Sequence, residues 1–263
     1  MAATATPIII YGMYIAWGHA SRVLKRSQPI FRRSMSMGVI HGGEPAFLRL
    51  KDYKEARANP TITVTAEEVL RSSLLKDHPD FLQLQSAVAK LEMTGREAEA
   101  VDILKKGYEQ AQKKPHEAYE IDMLLVEMLI YKGDFKEALN RKCFKNEEIS
   151  DARRPLYKAT IHIMLEDKDE KAKECWEEFT LIRENSHCHW QCQSSLENNQ
   201  LNNLISEFEE FKQLANLLKK DIQEVGQLIS EFDEFKQLAN LLRKDIQEVG
   251  QRKQRNDRLI NIW

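Results

Sequence analysis

Gly95-Arg96-Glu97-Ala98-Glu99-Ala100 closes one helix-forming run and opens the next. Gly133-Asp134-Phe135-Lys136-Glu137-Ala138 does the same 38 residues later, and Asp167-Lys168-Asp169-Glu170-Lys171-Ala172 does so after 34 more. In each, a turn-forming residue stands five positions before an alanine. Two antiparallel helices joined by a short loop approach closely near their turn, and only a small side chain fits where they cross. The flanking runs obey the same logic. Leu84, Ala87, Val88 and Leu91 share a face before Gly95, as do Leu125, Val126 and Leu129 before Gly133, and Leu156, Ala159 and Ile163 before Asp167. The helices after the turns carry Leu104, then Leu139, then Trp176 and Phe179.

Upstream, Thr65-Ala66-Glu67-Glu68 reads as a capping box, and Val69, Leu70, Ser73 and Leu74 form one face behind it. Asp77-His78-Pro79-Asp80 ends that helix and offers a cap to the next. The reading is an all-α body over residues 65–185, a short α-solenoid of antiparallel helical hairpins. Ten glycines and seven prolines in 263 residues are too few for a turn-rich β fold.

This periodic pattern resembles the tetratricopeptide repeat (TPR) superfamily, in particular its plant organelle-targeted type. The pairs Gly95/Ala100, Gly133/Ala138 and Asp167/Ala172 match the family's turn and second crossing position, and Pro115 lies near the end of the first unit. The chain departs from the family at the first crossing position, which holds Val88, Val126 and Thr160, and at Lys142, where a core aromatic is usual. An ordinary helical bundle without repeats is the plainer alternative. The resemblance implies a protein-binding groove lined by the first helix of each unit. Its positions here are Gln85 and Ala89, then Met123 and Glu127, then Tyr157 and Ile161. These are not the Lys/Asn set with which such proteins grip a peptide carboxylate, so a chaperone-tail clamp is not expected.

Residues 1–43 hold Arg22, Lys25, Arg26, Arg32 and Arg33 among several serines, with no acidic residue before Glu44. That composition predicts a disordered transit peptide, and the Met-Ala start with early threonines points to a chloroplast rather than a mitochondrion. The apolar run Ile8–Trp17 is too short to span a bilayer. Residues 44–64 read as a linker. Residues 44–186 carry 24 basic and 29 acidic side chains, and that balance repels phosphate backbones, so the expected partner is protein rather than nucleic acid.

After a linker at 186–198, residues 199–255 carry a tandem duplication. Leu204–Gln227 recurs as Leu228–Gln251, with only Glu209/Asp233 and Lys219/Arg243 changed. Leu204, Phe208, Phe211, Ala215, Leu218, Ile222 and Val225 are spaced alternately by four and three, which makes a coiled-coil seam. Because 24 residues are three heptads plus three, the repeat puts a stammer at Val225–Leu228, where Gly226 sits. The tail is therefore expected to be either a helical hairpin turning at Gly226 or a coiled coil. Its stripe needs a partner: its twin, another chain, or the body.

No phosphate-binding glycine loop, nucleophile elbow or metalloprotease His pair occurs in the sequence. His187, Cys188, His189 and Cys192 fall within six residues, too tight to wrap a tetrahedral zinc ion, so no metal or cofactor is expected. The functional expectation is a non-catalytic scaffold or assembly factor. The alternative is a structural, self-associating coiled-coil protein with a passive helical body.

Overall fold

A computed structural model describes residues 33, 40, 48, 51–52, 61–146, 148–166, 169–190 and 207–260. Side chains are described at these positions except 61–64, 184–190, 232–233, 235–236, 238–239 and 241–260. Among the described residues the chain is all helical. Its eight α-helices are α1 (Thr61–Leu74), α2 (Phe81–Glu92), α3 (Glu97–Gln110), α4 (Pro115–Lys132), α5 (Phe135–Leu139), α6 (Arg153–Met164), α7 (Asp169–Trp190) and α8 (Phe208–Ile260). The chain divides into two compact units, Met1–Glu224 and Val225–Trp263. The first holds α1–α7 and the beginning of α8; the second is the remainder of α8 and the residues after it.

Local chemistry sets the ends of these helices. The Asp80 carboxylate accepts from the backbone N–H groups of Leu82 and Gln83 and caps α2. Lys114 precedes Pro115, which occupies the first turn of α4, where its missing N–H is no loss. Gly95 and Gly133 take left-handed backbone angles, with φ of 71° and 87°, and end α2 and α4. In the third unit the left-handed residue is Glu166, at φ 54°, one position before the aspartate that the repeat aligns with the two glycines. Ala100, Ala138 and Ala172 are all buried.

Helices adjacent in sequence pack on each other, most extensively α1 with α2, α3 with α4, and α6 with α7. The centre is α4. Every side chain from Ile121 to Tyr131 is buried, Asp122 and Glu127 included. A helix apolar on all sides is an interior helix, and this one packs against α2, α3, α5 and α6. Gly107 lets α3 approach α1, since a Cβ there would lie 3.0 Å from the Leu74 methyl groups.

Several expectations need correction. The helix α1 begins at Thr61, so Thr65 is an interior helical residue and not a cap. Glu67, beside it, pairs with Arg71 and Arg96. The helix after the second turn, α5, is only five residues long; it stops at Asn140 and gives way to a 3₁₀ turn at Lys142–Lys145. The 186–198 segment is not wholly a linker, because α7 continues through His187, Cys188 and His189 to Trp190. Residue 192 and the side chains of 187–189 lie outside the described residues. Leu48, Lys51 and Asp52 are helical within the stretch read as a linker at 44–64. Two residues of the segment read as a disordered leader, Arg33 and Ile40, are helical and buried; the rest of it lies outside the described residues. The hairpin turn at Gly226 does not form: α8 runs through that position unbroken, and Gly226 is exposed with nothing within 4 Å of where a Cβ would be. No described helix is long and apolar enough to cross a membrane.

Candidate functional site

The positions implied by the TPR resemblance are mostly interior. Ala89, Met123 and Ile161 belong to the buried set, and Gln85 alone is half-buried. Glu127 and Tyr157 are also buried and meet directly, the Tyr157 hydroxyl donating to Glu127 Oε2 at 3.2 Å. That bond ties α4 to α6. In an open solenoid these faces would line a groove; here they are part of the packing of α2, α4 and α6. The warning was in the sequence. Ile121–Tyr131 has two acidic residues and no other charge among eleven, too little polarity for a helix with a wet side.

A second interior feature has no counterpart in the sequence reading. Arg33 is 1% exposed and bridges three helices. Its Nε donates to Glu92 Oε1 at 2.9 Å, and its guanidinium also pairs with Glu97. Nη2 and Nη1 donate to the backbone carbonyls of Glu92 (3.1 Å) and Tyr131 (3.3 Å), in the last turns of α2 and α4. Such carbonyls lack intrahelical donors, and a cation there also suits the helix dipoles. The guanidinium lies 5.1 Å from the centre of the Tyr131 ring. Burial works against its charge, but the Glu92 and Glu97 carboxylates outweigh it and raise the Arg33 pKa.

Other carboxylates, buried at Asp122 and half-buried at Glu120 and Asp151, brace loops. Asp122 accepts from Arg141 Nε at 2.7 Å and from the Cys143 backbone N–H at 2.9 Å, fixing the chain just after the shortened α5. Burial pushes the Cys143 thiol up, away from the thiolate form. Arg153 grips Glu120 at 2.9 and 3.0 Å and Asp151 at 2.7 Å, and the Tyr119 hydroxyl donates to Asp151 at 3.1 Å. Arg153 holds the Asp151 carboxyl below the ordinary carboxylate range despite its burial, which suits Asp151 to anchoring.

The arrangement with a recognisable binding geometry is the seat of the first tail copy. Phe211, Ala215, Leu218 and Ile222 on α8 are buried in the same core as Trp176 and Phe179 of α7. The Phe211 and Trp176 rings stack with centroids 4.3 Å apart. Phe179 tilts against the indole at 5.2 Å. Ile222 lies over the Gly133 turn, its Cγ2 3.7 Å from where a Cβ would stand, an ordinary packing distance. Two ion pairs flank the stripe: Lys212 with Asp169 at 2.5 Å and Lys219 with Glu166 at 2.6 Å. The body therefore buries one face of an amphipathic helix through an aromatic anchor with charged edges, the helix-in-groove mode. Of the three partners the stripe could take, the first copy uses the body.

No family model, no curated protein and no solved structure matches the chain.

Proposed function

We propose that the chain is a non-catalytic protein-interaction scaffold or assembly factor, built on TPR-like helical hairpins and acting inside an organelle, a chloroplast rather than a mitochondrion. The observation that carries this reading is the Trp176 face, which buries the stripe Phe211–Ile222 of α8. A surface that holds one amphipathic helix has the aromatic anchor and charged margins that helical protein ligands require. The acidic balance of residues 44–186 favours a protein partner over nucleic acid. The burial of Ala89, Met123, Glu127, Tyr157 and Ile161 moves the proposed contact away from α2, α4 and α6 to the Trp176 face of α7, which α8 covers. Because Arg33 and Ile40 are buried, the proposed leader is one that is cleaved before residue 33, which keeps both in the core.

The test is affinity capture from chloroplast extract with the full chain and with Trp176→Ala. A reproducible set of proteins held by the first and lost by the second is expected. Capture of nothing, or of the same set by both, would overturn the reading. The alternative, a self-associating structural protein, draws on the duplicated tail; a concentration-dependent rise in mass without capture would favour it.

A further inference from the structure

Arg33 is held by groups that belong to the helical body and not to its own segment. Its Nε donates to Glu92 Oε1 at 2.9 Å, Nη2 to the Glu92 carbonyl at 3.1 Å, and Nη1 to the Tyr131 carbonyl at 3.3 Å. Each nitrogen of the guanidinium thus has an acceptor. Glu97 adds a second carboxylate, and the Tyr131 ring lies beside the cation, its centre 5.1 Å away. Glu92 is the last residue of α2 and Glu97 the first of α3, and the left-handed turn at Gly95 between them brings both carboxylates to one point. The three helices that carry these groups share a core that includes Leu84, Leu91, Leu104, Leu125 and Leu129, and Arg33 is no part of that apolar packing. The guanidinium nearest to the turn in sequence, Arg96, is engaged by Glu67 and Glu99. Two enclosed carboxylates pay a large penalty when their cation is removed. Acceptors spread around a planar fork, with a ring beside it, suit a guanidinium better than an ammonium, which is a compact point charge.

We propose that Glu92, Glu97, Tyr131 and the two helix-end carbonyls form a guanidinium-binding site in its own right, with Arg33 as its resident ligand. The site recognises the cation and not the segment that delivers it. A chain that keeps Arg33 has the site filled; a chain that has lost this side chain takes up a guanidinium supplied from outside.

The experiment uses the full chain with Arg33→Ala and adds N-ethylguanidinium, the part of the side chain that the substitution removes. Propylammonium, the corresponding part of a lysine, is the control cation. Both are added as chlorides at millimolar concentration, far below those at which guanidinium salts denature, and melting is followed by circular dichroism. Arg33→Ala should melt well below wild type. Ethylguanidinium should restore a large part of that loss with a saturable dose dependence, propylammonium several-fold less, and wild type should not shift. If Arg33→Ala is unfolded without additive, a saturable return of helicity with ethylguanidinium is the same result. Adding Glu97→Gln to Arg33→Ala removes one carboxylate and should weaken the response several-fold. The proposal is overturned if Arg33→Ala, folded or unfolded, gives no saturable response, if propylammonium acts equally well, or if Glu97→Gln leaves the response unchanged.

Discussion

The Phe211 ring lies on the Trp176 indole with centroids 4.3 Å apart and planes 16° from parallel. It joins two helices whose backbones are separated in sequence by the residues between Trp190 and Phe208. Trp176 also touches Phe179 and is 3% exposed, so its loss leaves a cavity bordered by two rings. Trp176→Ala should cost about 3–5 kcal/mol in chemical denaturation. A change below about 1 kcal/mol would show that the stack adds little to the fold.

Ala100 and Ala138, five residues after Gly95 and Gly133, are fully buried. Neither has room for three more carbons. Ala100→Leu and Ala138→Leu should each destabilise by ~1–3 kcal/mol, read as a lower denaturant midpoint with unchanged slope. Wild-type stability in both variants would remove the physical basis of the small-residue crossing.

Arg33 neutralises Glu92 and Glu97 where water does not reach. Removing one partner leaves buried charge uncompensated, so Arg33→Met should cost about 3–5 kcal/mol. Truncation tests the same relationship: a chain starting at residue 44 should melt well below one starting at residue 31. Equal melting of the two would mean that the three helices close without the cation.

Gly133 and Gly226 should respond to alanine in opposite directions. Gly133 has φ of 87°, where a Cβ meets the following carbonyl, so Gly133→Ala should cost roughly 1–2 kcal/mol. Gly226 lies inside α8 with open space around it, so Gly226→Ala should stabilise the helix by roughly 1 kcal/mol. Thermal melting followed by circular dichroism reads both, and destabilisation at Gly226 would argue for a turn there.

Asp151 supplies a pH dependence. Burial works against its charge, but Arg153 outweighs that and holds the carboxyl below the ordinary carboxylate range. A lowered folded pKa gives stability that is full above the unfolded value, about 4, and is lost as pH falls through the folded value. Arg153→Met should therefore cost roughly 1–2 kcal/mol at pH 7, an amount limited by the guanidinium's 36% exposure. The difference from wild type should shrink below about pH 4. A difference constant down to pH 2 would assign the effect to packing instead.

Local rules made much of this protein readable. Asp80 as a cap and Gly95 and Gly133 at helix ends follow from backbone geometry, which neighbouring residues fix, and the alanines five residues after each glycine are buried. The helical character of the tail and its apolar stripe also follow from spacing alone. The candidate site was less legible. Gln85, Ala89, Met123, Glu127, Tyr157 and Ile161 were placed by family register, and a register names a face without saying whether anything covers it.

The sequence by itself therefore determined the helices, their turns and the small residues between them, because these depend on contacts a few residues apart. Only the tertiary structure decided which charges are interior and which stripe is seated. Arg33 meets Glu92 across 59 residues, and Phe211 meets Trp176 across the α7–α8 connection. No local pattern in the sequence marks Arg33 as a side chain that enters a core. That choice belongs to the buried carboxylates of Glu92 and Glu97 and the helix-end carbonyls of Glu92 and Tyr131, which come together only when α2, α3 and α4 have packed.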